Sequence, residues 1–344
     1  MASDATRGRL LLVGTGGEEH AHPGHPERPE RLVAALAGVE DLHLGDDLVV
    51  LEAEAAPVEA LTVVHHPAYL EALEGLCAAG GGALDPDTYA RPASFDAARR
   101  ATGGGLAAAE ALRRGVAPVA FVAARPPGHH ALADRGMGFC LVNNAAVVAA
   151  TLAEGGDKVA VIDWDVHHGN GTEAIFWDDP RVLYASTHQA PHYPGTGAAE
   201  DVGGPGARGA TVNVPLPAGA TGDVVRRALD EVIVPAVAAF GPDWVLVSAG
   251  FDAHRDDPLA SLALSAGDFA HLAATVGALA PPDRLLLFLE GGYDARALRH
   301  SVTAALLPLV GSGQEPAEPS TEGGPGLGQV RAAAEVQRRL AATG

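Results

Sequence analysis

Lysine is all but missing from this chain: Lys158 is the only one among 344 residues, and arginine supplies the rest of the 23 basic side chains. With 43 glycines and abundant alanine, this bias reads as coding composition rather than chemistry. Acidic residues outnumber basic ones, giving a formal net charge of −20. No basic cluster is available to neutralise phosphates, which argues against nucleic acid as a partner. Long-range attraction weakly favours cationic or lysine-rich substrates, although solubility explains the charge equally well. Cysteine is also scarce. Cys77 and Cys140 make no disulfide scaffold, fit a reducing compartment, and sit in apolar patterns expected of core thiols. Long apolar runs are absent: Leu10–Val13 is far too short for a signal h-region, and nothing approaches a membrane span. A soluble, cytoplasmic protein with no membrane partner is therefore expected. At 47% hydrophobic and 19% charged residues, the chain can bury a large core in one α/β domain or two smaller ones.

Residues 1–8 read as frayed, and Leu10–Val13 as a first strand. Gly14-Thr15-Gly16-Gly17 is a poor dinucleotide fingerprint, because a loop through His22–Pro29 follows it instead of a helix. Helices are expected from Pro29, over 61–79 with nucleation at Pro67, over 93–114, and over Asn143–Leu152. Beyond these come helices Asp223–Ala239, Ala266–Leu279 and Ala295–Leu309. Strands are expected at Val119–Ala124, 158–165, Val182–Thr187, Thr211–Val214, Trp244–Ser248 and Leu285–Leu289. Strands spaced by helix-length patterns mean βαβ units and a mainly parallel sheet covered on both faces. The span 9–310 reads as one domain, with 311–328 a flexible Gly/Pro-rich linker to a short helix near 329–342.

Chemistry-bearing residues follow the strands, so they should gather at one sheet edge. In the run Val161–Gly171, alternation along an extended backbone turns Asp163, Asp165 and His167 one way and Trp164 and Val166 the other. Such polar groups are costly to bury unless something pairs with them, and a divalent cation would do so. Asp252, following Trp244–Ser248, is placed to be a third ligand beside Asp165 and His167. Two carboxylates, one imidazole and an open position match a catalytic zinc arrangement, with Fe(II) or another first-row ion as alternatives. Such an ion would polarise a carbonyl and acidify water. His254 and Asp256 could compete as ligands, or could form salt bridges instead. His129 and His130 follow a Pro-Pro-Gly turn. With Asp163 and Asn170 as nearby partners, the two would be tuned unequally: one histidine would lean cationic and the other stay neutral enough to act as a base. Tyr293, after Gly291-Gly292, can donate to a developing oxyanion. Phe139 and Tyr193 are candidate walls of a narrow apolar slot.

Together these motifs resemble the zinc-dependent histone deacetylase superfamily, and most closely its bacterial, class II-like members. The resemblance runs through His22–Arg31, Arg125–Ala131, Gly138–Asn144, Asp163–Thr172, Ser186–Gly197, Ser248–Pro258 and Leu289–Asp294. Asn170, where class I members carry aspartate, suggests class II. The resemblance implies an arginase/deacetylase-like three-layer α/β/α sandwich around a mainly parallel eight-stranded sheet. It implies a metal on Asp165, His167 and Asp252, a general base at His130, an electrostatic partner at His129 oriented by Asp163, and a transition-state phenol at Tyr293. It also implies structural K+ at Asp163, Asp165, His167, Ser186 and Thr187, with a second K+ site near Phe176, Asp179 and Val182. Phe139, Tyr193 and Gly138 would line an acyl-lysine tunnel, with Asp87 as rim acceptor for substrate amides. Arg31 would lie behind the site. The activity implied is removal of an acetyl or acyl group from acetyl-lysine or a similar long aliphatic amine by metal-activated water. Rival readings are an acetylpolyamine amidohydrolase using Asp85 or Asp87, a non-catalytic acyl-lysine binder, and an arginase-like ureohydrolase with two metals. Homo-oligomerisation is left open.

Overall fold

Alternation along the first strand, β1 (Leu10–Gly14), decides how the protein is layered. Leu10 and Leu12 enter one apolar core, whereas Leu11 and Val13 enter another on the opposite face of the sheet. The computed structural model describes residues 8–343, so all but Gly8 of the stretch expected to fray lies outside the described residues.

A long loop leads to α1 (Pro29–Glu40), which opens at the proline as expected because its missing N–H costs nothing in a first turn. The edge strand β2 (Leu48–Glu52) follows, an element with no counterpart in the sequence reading. The single helix expected over 61–79 is two, α2 (Val58–Leu61) and α3 (Pro67–Ala78). Pro67 drives its predecessor His66 to an extended conformation, which prevents a continuous helix. A small hairpin, β3 (Gly82–Ala83) and β4 (Tyr89–Ala90), precedes α4 (Ser94–Arg113), β5 (Val119–Ala123) and α5 (Asn144–Glu154). Next come β6 (Val159–Asp163), α6 (Asn170–Phe176), β7 (Val182–Gln189) and β8 (Thr211–Leu216). The helix expected over 223–239 is divided into α7 (Gly222–Ala228) and α8 (Val234–Phe240) by a π-helical turn at Leu229–Ile233. Pro235 supplies the cause, since it has no N–H to continue the preceding ladder. The chain closes with β9 (Trp244–Ala249), α9 (Ala266–Leu279), β10 (Leu285–Leu289), α10 (Ala295–Leu309) and α11 (Leu327–Thr343).

Eight strands form one sheet in the order β2-β1-β5-β10-β9-β6-β7-β8, with every pairing parallel. Helices cover both faces, giving an arginase/deacetylase-like α/β fold. The four central strands β5, β10, β9 and β6 lie side by side and point their carboxyl ends the same way. That places the loops after residues 123, 289, 249 and 163 along a single edge. Residues 311–328, expected as a flexible linker, are fastened to the body. Glu318 pairs with Arg255, Thr321 Oγ1 donates to Asp268 (2.7 Å), and Gly324 N donates to Thr221 Oγ1 (2.7 Å). No helix of the described residues is long and apolar enough to cross a membrane.

Candidate active site

β6 ends at Asp163, two residues short of the expected limit, yet the alternation of side chains continues. The Asp165 amide donates to Asp163 Oδ1 (3.1 Å) and the His167 amide to Asp165 Oδ1 (2.9 Å). These local turns keep Trp164 and Val166 in the core and leave Asp163, Asp165 and His167 on the other side. Beyond β9, Asp252 is held by the Val166 amide at 2.9 Å. His167 Nδ1 then lies 3.0 Å from Asp165 Oδ1 and 3.2 Å from Asp252 Oδ2. One ligand atom from each of the three falls within 4.8 Å of the others. Glycine is required at 250 and 291, because a Cβ there would run into the carboxylates of Asp165 and Asp252. Gly291 N instead donates to Asp165 Oδ2 at 2.8 Å.

The donor set fits a divalent cation. Asp165 and Asp252 are fully buried. A proton on His167 Nδ1 can point at only one carboxylate; it meets Asp165, and Asp252 Oδ2 is left without a hydrogen-bond donor. Burial penalises a charged His167, but the carboxylates of Asp165 and Asp252 beside it outweigh that penalty and push the imidazole up to about 10. Desolvation and the Asp165 charge raise Asp252. A site that so strongly favours positive charge among oxygen and nitrogen donors suits zinc or another first-row ion.

The tandem histidines follow β5. His129 Nδ1 is 3.0 Å from Asp163 Oδ2, and its Nε2 is 3.9 Å from Asp165 Oδ1. His130 Nδ1 is 2.8 Å from Asn170 Oδ1. An amide oxygen only accepts, so Nδ1 of His130 carries the proton and Nε2 keeps its lone pair. Desolvation opposes charge on both rings. At His129 the carboxylates of Asp163 and Asp165 override it and raise the group to about 10. At His130 burial acts with the neighbouring His129 and His167 and drives the group well below its ordinary value. Glu290, inside the stretch Leu289–Asp294, accepts from the amides of Gly128 (2.6 Å) and His129 (3.2 Å). Burial raises its carboxyl to about 7.

Tyr293 stands on the neighbouring turn. Its ring is 4.8 Å from the Arg31 guanidinium carbon and meets Phe139 edge-on at 5.8 Å. Phe139 adopts φ +68°, a left-handed conformation that costs a bulky residue energy, and its amide donates to Thr88 Oγ1 at 3.0 Å. Tyr193 stands edge-on to His130 at 5.2 Å. Gly138, at φ +55°, leaves room for the His130 ring. Asp87, expected at the rim, is exposed, and its carbonyl accepts from His25 Nε2 at 3.0 Å. A cavity of about 760 Å³ opens beside Tyr293 and is lined also by His22, His25, Arg28, Arg91 and Leu259. Buried Arg31 donates through Nε to the Gly292 carbonyl (2.6 Å) and through a second nitrogen to that of Glu290.

Among the residues expected around K+, Asp163 pairs with Ser186 across β6 and β7, with buried Thr187 next in line. Ser186 Oγ is engaged with His188 Nδ1 at 2.9 Å. At the second expected site, the carbonyls of Phe176 and Asp179 accept from Asp179 N (3.0 Å) and Val182 N (3.3 Å). His254 and Asp256 do not join the Asp165 cluster. The chain turns after Asp252, so His254 Nε2 faces Glu318 at 3.4 Å and Asp256 is largely exposed. Besides Glu290, the sequence reading missed Asp257, Thr88, His192 stacked on His167 (5.0 Å), and Tyr184, whose hydroxyl donates to Asp163 Oδ2 (3.3 Å). Asp257 lies within Ser248–Pro258 and His192 within Ser186–Gly197, and that is the only sequence signal that singles them out.

An eight-stranded, all-parallel sheet covered by helices, with its polar side chains gathered at the carboxyl edge, is an arginase/deacetylase-like α/β protein. Within that class, the chain belongs to the histone deacetylase domain family, which matches residues 25–309. A probable deacetylase of Archaeoglobus fulgidus is 42% identical over 278 residues, 79% of this chain and 77% of that protein. A histone deacetylase-like amidohydrolase of Pseudomonas aeruginosa is 40% identical over 292 residues, 83% of this chain and 76% of that one. The crystal structure of the HDA15 HD domain matches with a TM-score of 0.88 at 35% identity, covering 98% of this chain and 97% of that chain. Membership supports deacetylase or amidohydrolase activity and a divalent metal.

Proposed function

We propose that this protein is a metal-dependent deacetylase that hydrolyses the amide of an acetylated lysine side chain. The observation that carries the reading is the meeting of Asp165, His167 and Asp252 within 4.8 Å, beside two histidines whose Nδ1 atoms have unlike partners. Asp165, His167 and Asp252 would hold zinc or Fe(II). When bound, such an ion supplies Lewis-acid polarisation of the acetyl carbonyl and lowers the pKa of water.

The chain's own groups do the rest. His130, neutral and protonated on Nδ1, takes the proton of the attacking water at Nε2. The Tyr293 phenol donates to the oxyanion as it forms. His129, held cationic by Asp163, stabilises that charge, and His130 returns its proton to the leaving amine. Phe139 and Tyr193, with Gly138 between them and His130, wall the aliphatic chain from water, and Asp87 accepts a substrate backbone amide. A structural K+ at Asp163, Asp165, His167, Ser186 and Thr187 would offset the buried carboxylates, and the carbonyls near Phe176, Asp179 and Val182 could hold a second. The domain would be residues 9–310, with 311–344 its C-terminal extension, fastened to it at Glu318, Thr321 and Gly324.

The test is a panel of an acetyl-lysine peptide, acetylspermidine and longer acyl-lysines, assayed before chelation, after it, and after metal add-back. Turnover of the peptide that vanishes with chelation and returns with zinc or iron is expected. Turnover untouched by chelation, or confined to acetylspermidine, would discard the proposal.

A further inference from the structure

We propose that Asp257 is the positioning residue for Tyr293, clamping the turn after β10 to the loop after β9 and so fixing where the phenol stands. The proposal rests on reading Tyr293 as the oxyanion donor. Asp257 Oδ2 accepts the backbone N–H of Tyr293 at 2.7 Å, and Oδ1 accepts that of Leu259 at 2.9 Å. Its own amide donates to the His254 carbonyl at 2.9 Å. The side chain is therefore held at both ends, and Asp257 is only 6% exposed.

The peptide unit between Gly292 and Tyr293 explains why such a clamp is needed. Gly292 sits at φ +120°, where glycine alone is comfortable, so this unit can rotate at little intrinsic cost. Arg31 Nε takes its carbonyl at 2.6 Å, and Asp257 takes its N–H at 2.7 Å. Fixing both poles of one peptide plane fixes the direction in which the Tyr293 side chain leaves the backbone. Arg31 alone would leave the N–H end without a partner, and the plane could swing about the Arg31 contact. The same carboxylate also grips Leu259, which lines the cavity beside Tyr293, so phenol and cavity wall are set against one another. Asp257 forms no ion pair among the described residues, and desolvation raises its carboxyl to about 7. A buried carboxyl without a salt-bridge partner is costly, and the nearby Arg31 offsets only part of that cost.

A double-mutant cycle on the metal-loaded enzyme tests this. Asp257→Ala should lower kcat on an acetyl-lysine reporter about 10- to 100-fold when Tyr293 is present, and no more than about threefold in the Tyr293→Phe background. Asp257→Asn keeps one acceptor oxygen and should fall between, rescuing most of the loss. Equal losses in both backgrounds would overturn the proposal, since Asp257 would then act on the fold at large. A second readout needs no turnover. With the five tyrosines replaced by 3-fluorotyrosine, the ¹⁹F line absent from Tyr293→Phe belongs to Tyr293. Asp257→Asn, or Asp257→Ala where it folds, should shift or split that line and leave the others in place; an unmoved line would overturn the proposal. If the wild type turns over no acetylated substrate, the functional reading fails, while the ¹⁹F spectrum still decides the role of Asp257.

Discussion

Burial opposes charge on both His129 and His130, and they differ because carboxylates override it at His129, with Asp163 3.0 Å from Nδ1. At His130 the amide oxygen of Asn170 at 2.8 Å does not outweigh burial and the neighbouring His129 and His167. Converting Asn170 to aspartate removes that difference. A carboxylate beside His130 favours its protonated form, so the pH at which the base becomes available rises. Asn170→Asp should move the acidic limb of the kcat/KM profile upward by about one pH unit, read from rates between pH 5 and 9. An unmoved limb would show that His130 is not the base that limb reports. Tyr293→Phe removes only a hydroxyl, and as an oxyanion donor that hydroxyl should be worth about 100- to 1000-fold in kcat. Undiminished turnover of an acetyl-lysine reporter would remove Tyr293 from the mechanism.

At the level of elements, the site depends on how closely two turns approach. The loops after β9 and β10 each give up a side chain at Gly250 and Gly291 so that Asp165 and Asp252 can lie against the backbone. Gly291→Ala puts a methyl group into both carboxylates. We expect metal affinity to fall about 10- to 100-fold, measured by equilibrium dialysis against zinc, with the circular dichroism of the fold retained. Unchanged affinity would mean the carboxylates can retreat and still bind. Much of this edge was legible beforehand, because strands announce themselves by apolar runs and their ends by polar residues and glycine. Asp163, Asp165, His167 and Asp252 were placed together on that ground alone. β2 escaped because it is an edge strand, half-exposed and with Val50 facing solvent, so no run of buried positions marks it. The π-helical turn before Pro235 interrupts a stretch whose apolar pattern is continuous. Glu290 and Asp257 were unreadable for another reason. Their partners are backbone amides, 161 to 162 residues away for Glu290 and, for Asp257, 36 away at Tyr293 as well as two away at Leu259, and amides carry no mark in a sequence.

Across the whole molecule, the two apolar cores on opposite faces of the sheet enclose polar groups whose charge state is fixed by burial. His65 is the clearest of these. Its Nε2 accepts the Asn143 amide at 2.9 Å, so that nitrogen cannot carry a proton, and its Nδ1 contacts the Leu132 carbonyl at 3.0 Å. Desolvation lowers His65 to about 4, and it lowers His20 to about 4 and His188 to about 3. The folded state keeps these rings neutral while the unfolded chain protonates them near their ordinary value of 6.5. Below that value the unfolded state binds more protons, and their contribution to stability is lost as pH falls toward 4. Glu290 and Asp257, both raised to about 7, act in the opposite sense over the same range, since burying them charged costs stability that acid restores. The wild-type curve therefore mixes both signs, and a difference between two proteins isolates one group. His65→Gln retains polar atoms but no titration. It should be less stable than wild type at pH 7.5, with the gap narrowing by about 3 kcal/mol by pH 4.5 as the wild type alone loses the His65 share. Urea denaturation at fixed metal concentration across that range measures the gap. Parallel curves would mean that His65 can be protonated in place, with the loop between α2 and α3 yielding to accommodate the charge.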